Sequence, residues 1–231
     1  MNSTSAYELA IIGGGLAGLS LAIQSARSGR STVLFEKEQY PFHKVCGEYI
    51  SFENWNHLQE LGIPLSDMNL PMINRLLVSA PDGRKVESQL PLGGFGISRY
   101  LLDDLLCRIA RAEGVHVVEH TKVTDLVFSD DRFTVMTDQG EVSAKVAAGS
   151  FGKRSNLDIR WKRPFTIHNH SKLSDYVAVK YHVRINAAND QIALHNFEDG
   201  YCGISAIEDE KFCLCYLTKA GNLRKAGNDI G

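Results

Sequence analysis

The sequence predicts an α/β fold in which a parallel βαβ unit, continued by a β-meander, is interleaved with a second, mainly β domain. Three observations carry this expectation. A short apolar run meets a glycine cluster and restarts with helical spacing. Three β-rich segments between residues 122 and 147 are separated by Asp- and Gly-containing turns. Beyond Trp161 the pattern is all-β. At 231 residues the chain has material for one to two domains and a real core.

Glu8 to Ile12 reads as a buried strand that runs into Gly13-Gly14-Gly15. Leu16, Leu19, Ile23 and Ala26 follow at helical spacing, and Ser31 to Glu36 is a second strand that stops on an acid. Phe52 to Leu61 is expected to be a helix stopped by Gly62 and Pro64. Met72 to Ala80, the turn Pro81-Asp82-Gly83 and Lys85 to Leu90 form a hairpin, and Gly93-Gly94-Phe95-Gly96 reads as hinge-like. Ser98 is placed to cap a helix from Arg99 to Glu113, with Leu102, Leu105, Leu106 and Ile109 inward. Val115 to Val118 is a further strand, followed by the meander strands Lys122–Phe128, Arg132–Thr137 and Glu141–Ala147. Tyr176–Ile185, Gln191–Phe197, Tyr201–Ile207 and Lys211–Leu217 complete the β half, while Lys219 to Gly231 closes no recognisable element.

Composition narrows the function classes. Lys plus Arg is 25 against 27 for Asp plus Glu, so no basic footprint for nucleic acid is present. Leu9 to Ala26 is uncharged but contains four glycines and has no basic flank, unlike a signal peptide or a spanning helix. Five cysteines read as free thiols, and a cytoplasmic chain without a transmembrane segment is expected. His168-Asn-His170 has ligand spacing but no Cys or acid partners nearby, so no metal is expected. Cys213 and Cys215, two apart in a strand, read as packing residues. No nucleophile elbow or phosphate-binding Gly-Lys-Ser/Thr loop is present.

The sharpest motif is Gly13-x-Gly15-x-x-Gly18 with Glu36 at the end of the next strand. Gly13 permits the tight turn, Gly15 lets backbone approach a pyrophosphate, and Gly18 allows close helix–strand packing. The helix N-terminus supplies N–H donors to the anion, and Glu36 is placed to hold ribose hydroxyls. This is a Rossmann-like signature. An acid at 36 disfavours a 2′-phosphate, which leaves FAD or NAD.

After the first βαβ unit come a long excursion, a hairpin, a helix and a meander rather than more βαβ units. With the motif above, this resembles the two-dinucleotide-binding-domain flavoproteins, within them the group of aromatic-ring hydroxylases, flavin-dependent halogenases and geranylgeranyl reductases. Pro41-Phe-His-Lys-Val-Cys-Gly-Glu48 is similar to their Cys-Gly-Gly or Cys-Gly-Glu element, and Ser98-Arg99-Tyr100-Leu-Leu-Asp103 to their helix start. The resemblance implies FAD, with NAD(P)H as a candidate donor and a small, apolar organic substrate, reduced at an unsaturated bond or monooxygenated. The implied cofactor set is Gly13, Gly15, Leu16, Ala17, Gly18, Glu36, Lys37, Lys44, Cys46, Gly47, Arg99, Val123 and Gly149, with Cys46 flavin-adjacent and no assigned catalytic residue. Domains are expected at 1–70 with 93–160 for FAD, and at 71–92 with 161–231 for substrate.

Two departures stand out. Gly149-Ser-Phe-Gly152-Lys153-Arg154-Ser155 keeps the family's turn but has Phe151 where an Asp is usual, which counts against an ordinary NADPH-using hydroxylase cycle. Lys153 and Arg154 are placed to meet an anionic ligand or only water. No second flavin motif occurs before Gly231, so the sequence reads as the N-terminal part of a longer protein, expected to hold FAD weakly alone. The alternatives are a simple Rossmann NAD-dependent dehydrogenase and a non-catalytic remnant or binding module.

Overall fold

The computed structural model describes residues 6–152, 155–166 and 176–227. Lys153, Arg154, His168, His170 and the last four residues lie outside them. The chain divides into two units. The first takes the described residues up to Phe42, Leu61–Ile63, and Tyr100 onward to Thr166; the second takes 43–60, 64–99 and 176–227. These bounds are not the 70, 92 and 160 expected from sequence.

In the first unit, strand β1 (Ala6–Ile12) leads through the glycine turn into helix α1 (Leu16–Arg27), which returns to β2 (Thr32–Phe35). The pair is parallel, Leu9 opposite Thr32 and Ile12 opposite Phe35. β2 is buried throughout and β1 from Leu9 onward, and α1 places Leu19, Ala22 and Ile23 inward. Helix α3 (Arg99–Ala112) feeds β6 (His116–Val118), parallel to β2. Its buried side is Leu102, Asp103, Leu106, Cys107 and Ala110, turned from the expected stripe so that Leu105 and Ile109 are only half-buried. The meander is β7 (Val123–Ser129), β8 (Arg132–Thr137) and β9 (Gly140–Gly149), with β9 returning parallel to β1. Strand order is therefore β6-β2-β1-β9-β8-β7. Ala10, Ile12, Val33, Phe35, Val135 and Ala144 form the core on one face, with Phe151 and Trp161 packed against it. Ser155, whose hydroxyl accepts the N–H groups of Leu157 and Asp158, caps the short helix α4 (Asn156–Arg160).

The second unit is one sheet, β10-β13-β12-β11-β4-β5-β3, formed by β3 (Tyr49–Ser51), β4 (Met72–Ser79), β5 (Lys85–Gly96), β10 (Tyr176–Val183), β11 (Gln191–Phe197), β12 (Gly200–Ile207) and β13 (Lys211–Lys219). Only the β11–β4 pair is parallel. A 3-10 turn at Phe52–Asn54 leads into α2 (Trp55–Leu61), so the expected helix starts three residues late. Phe52, Trp55 and Phe95 form an aromatic cluster.

Gly93–Gly96 is the buried end of β5, not a hinge: Gly94 pairs with Ser51 on one side and Ile73 on the other. Its glycines answer to close backbone approach, because a Cβ on Gly96 would overlap the Ala206 carbonyl and one on Gly94 the Ile50 carbonyl. Lys219 onward is not featureless either, since α5 (Ala220–Lys225) forms there and Asn222 Nδ2 donates to Thr218 Oγ1 at 2.9 Å. No helix among the described residues is long and apolar enough to cross a membrane.

Gly96→Ala is expected to cost about 1–3 kcal/mol or more through forced backbone displacement. Gly221→Ala, in open space on α5, should instead leave stability unchanged or raise it by up to about 1 kcal/mol. Urea denaturation of the two variants checks the contrast.

Candidate functional site

The glycine turn of the first unit is fastened on three sides. The Gly13 N–H donates to Phe35 O at 2.9 Å, the Ser150 N–H donates to Ile12 O at 2.8 Å, and Ser150 Oγ donates to Gly13 O at 2.6 Å. Gly13 has φ +106, a left-handed backbone, and any Cβ there would lie within 3.0 Å of Ser150 backbone. At Gly18 a Cβ would overlap the Gly13 carbonyl and Ser150 Oγ. The end of β1, the first turn of α1 and the exit of β9 therefore close on one another with no room for a Cβ at Gly13 or Gly18.

That closure leaves the N-terminus of α1 open. Gly15 is its N-cap, no side chain caps it, and no acid stands in its first turn. The first N–H groups of a helix have no intrahelical acceptor and carry the positive end of the helix dipole. Gly15, Leu16 and Ala17 are thus suited to an anion.

Glu36 follows β2 and is buried. Its Oε2 accepts the Gly14 N–H at 2.9 Å and its Oε1 the Glu38 N–H at 3.1 Å. An ionised carboxylate only accepts, which is the chemistry a ribose hydroxyl needs from a partner. Its own main chain is held by Val118 and Thr121. Tyr40, unremarked in the sequence reading, donates its hydroxyl to Gly14 O. Burial, then the nearby Glu36, pushes this phenol far above its ordinary pKa, so it stays a donor.

The other sequence candidates of this unit differ in character. Lys37 is solvated, 3.8 Å from Glu38. Val123 has its side chain in the core, leaving only its backbone for a ligand. Gly149 ends β9 beside the Phe151 ring. Phe151 itself packs toward Trp161, with centroids 6.4 Å apart, so an apolar residue is what its surroundings select.

Lys44, Cys46, Gly47 and Arg99 belong to the second unit. There, three consecutive carbonyls are gripped: Cys213 Sγ donates to Cys46 O at 3.2 Å, Ser205 Oγ to Gly47 O at 2.7 Å, and the Ile97 N–H to Glu48 O at 3.1 Å. Glu48 adopts φ +57, a conformation that costs a non-glycine residue on the order of 1–2 kcal/mol. Its carboxylate is fully buried. Oε1 accepts from Lys180 Nζ at 2.6 Å and from the Arg99 N–H at 2.8 Å, while Oε2 lies 2.7 Å from His182 Nε2. Because an ionised carboxylate only accepts, this pairing requires His182 to carry its proton on Nε2. His43 stands edge-on to His182, and burial, with Lys180 and His182 adding, lowers its pKa.

Lys180 and His182 were missed by sequence reasoning. Their signal is visible afterwards: they are the polar pair at i, i+2 in Val-Ala-Val-Lys-Tyr-His-Val, sharing one sheet face with Cys213 and Cys215, their register partners. A Cβ on Gly47 would meet open space. Ser98, expected to cap α3, gives its hydroxyl to Glu208 Oε1 at 2.5 Å. All five cysteines are unpaired thiols. Among the described residues no group of three His, Cys, Asp or Glu is placed to hold a metal.

Residues 8–44 match the family described as FAD binding domain. The chain is 28% identical over 144 residues to conditioned medium factor receptor 1 of Dictyostelium discoideum, covering 56% of this chain and 28% of that one. It is 28% identical over 158 residues to a menaquinone reductase of Mycolicibacterium smegmatis, covering 65% and 38%. Its fold is that of the myxobacterial chondrochloren halogenase CndH, described as a variant of FAD-dependent halogenases: TM-score 0.76, 20% identity, 98% of this chain and 55% of that one. A geranylgeranyl bacteriochlorophyll reductase-like protein from Thermoplasma acidophilum superposes equally well, with TM-score 0.76, 16% identity and 94% and 57% coverage. The chain thus spans about a third of the curated relatives and over half of the solved structures.

Lys180→Met strands the buried Glu48 carboxylate and is expected to cost about 3–5 kcal/mol, whereas Glu48→Gln combined with Lys180→Met should recover much of the loss. Chemical denaturation of both variants, followed by tryptophan fluorescence, provides the comparison.

Proposed function

We propose that this chain carries the dinucleotide-binding and substrate-binding parts of an FAD-dependent oxidoreductase. The observation that carries the reading is the uncapped N-terminus of α1 beside the buried Glu36, within the stretch that matches an FAD binding domain. In this reading Gly15, Leu16 and Ala17 donate to the pyrophosphate, Gly13 and Gly18 keep the turn tight enough to present those donors, and Glu36 accepts from the ribose. Bound FAD would supply the electron transfer; the protein binds, orients and excludes water.

The first unit is the FAD-binding portion and the second the substrate portion, with Lys44, Cys46, Gly47 and Arg99 assigned to the flavin side. Cys46 and Gly47 are presented by a backbone whose carbonyls are fixed from beneath, and the open space at Gly47 suits approach by a flat ring. The substrate is a small, apolar organic molecule. Likeness to a menaquinone reductase supports reduction of an unsaturated bond, with monooxygenation through reduced flavin as the alternative reaction. NAD(P)H is the proposed electron donor and the cytoplasm the proposed location. A simple NAD-dependent dehydrogenase is disfavoured, because after β2 the chain enters a largely antiparallel sheet rather than further βαβ units.

Titration of the purified chain with FAD, read by quenching of flavin fluorescence, is expected to saturate. Glu36→Ala should weaken the affinity about tenfold, the equivalent of roughly 1.4 kcal/mol. An unchanged affinity would remove Glu36 from the ribose site, and no quenching at all would remove FAD.

A further inference from the structure

We infer that Tyr40 is a positioning residue of the dinucleotide turn, acting through Gly14. The inference rests on the FAD reading above and adds a residue that the glycine motif does not contain.

Gly14 is held from both sides. Its N–H donates to Glu36 Oε2 at 2.9 Å, and its carbonyl accepts the Tyr40 hydroxyl. A trans peptide is planar, so its C=O and N–H leave opposite edges of one plane. By fixing the Gly14 carbonyl, Tyr40 sets the plane of the Gly14–Gly15 peptide and directs the Gly15 N–H away from itself. Gly15 is the N-cap of α1 and the first donor at its open end.

Tyr40 is well placed for this. It is 8% exposed, and its own N–H donates to Glu119 Oε1 at 2.7 Å. Glu119 in turn is held by Arg111 at 2.5 Å.

The same geometry explains the residue at 14. This is the free position of Gly-x-Gly-x-x-Gly, and Gly14 does not adopt a left-handed backbone. A Cβ there would overlap the Tyr40 hydroxyl oxygen, while the next atoms, Glu36 Cβ and Tyr40 Cζ, stand at 3.1 Å. Those contacts yield to a shift of a few tenths of an ångström. Residue 14 is glycine here because the tyrosine oxygen occupies the space a side chain would take.

Tyr40→Phe, Gly14→Ala and the double variant separate the parts of this inference. Thermal unfolding without nucleotide should show a large drop for Gly14→Ala, partly restored in the double variant because phenylalanine lacks the clashing oxygen. FAD affinity, measured at a temperature where every variant is folded, should fall about three- to tenfold for Tyr40→Phe, because the unfixed Gly14–Gly15 peptide must then be ordered on binding. ADP, which carries the diphosphate without the flavin, should lose affinity by the same factor.

Melting temperatures that simply add would overturn the steric pairing. FAD uptake by the unmodified chain that Tyr40→Phe leaves unchanged overturns the positioning role and leaves the FAD reading intact. No uptake of FAD or ADP by the unmodified chain overturns both.

Discussion

The first unit depends on one close approach: Gly13 meets the Ser150 backbone, and Gly18 meets the Gly13 carbonyl and Ser150 Oγ, where neither glycine could carry a Cβ. The contact joins the first strand, the first helix and the exit of β9, more than 130 residues away in sequence. Once it forms, the hydrogen bonds of the turn point inward and the free amides of α1 point out. Parallel pairing of β1 with both β2 and β9 follows from the same closure, since Ser150 can reach Gly13 only if β9 runs alongside β1 in register.

The second unit solves a comparable problem by different chemistry. Its gripped segment carries a buried carboxylate at a left-handed residue, and that conformation persists because Lys180, His182 and the Arg99 amide converge on Glu48. A fully buried charge is costly unless paired and hydrogen-bonded, so the cluster contributes little net stability yet is severe in what it forbids. Any rearrangement of Cys46–Glu48 must unpair a carboxylate away from water. Neutral hydrogen bonds at Cys46 and Gly47 would not by themselves impose that, being worth only about 0.5–1.5 kcal/mol each.

What the sequence made legible was local. Gly13, Gly15, Gly18 and Glu36 lie within 24 residues of one another, and their spacing states their purpose. The meander strands were readable because Asp130-Asp131 and Asp138-Gln139-Gly140 are turn chemistry. The errors share a cause in long-range contact. Gly93–Gly96 looks like a hinge until Ile50 and Ala206 are seen to press against it. Helix α5 contains Gly221, a poor helix former, and gains its anchor from Thr218 on the preceding strand. Glu48 reads only as the last residue of the Cys-Gly-Glu element until Lys180, 132 residues later, is brought to it. Tyr40 was overlooked for a subtler reason, since its partner is a backbone carbonyl and leaves no trace in side-chain patterning.

These two anchorages are joined by one short stretch of chain. Glu36 and Tyr40 are fastened into the first unit, and Cys46 to Glu48 into the second, so residues 41–45 run between two fixed ends. Each end is held by groups from its own unit. A flavoenzyme of the kind proposed needs a nucleotide site fixed well enough to retain the cofactor and a ring-side segment fixed well enough to orient it. Phe151 packs, half-buried, against the hydrophobic core of the first unit, where an apolar side chain fits, and Gly149 just before it stays opposite Ile12 in the parallel pair.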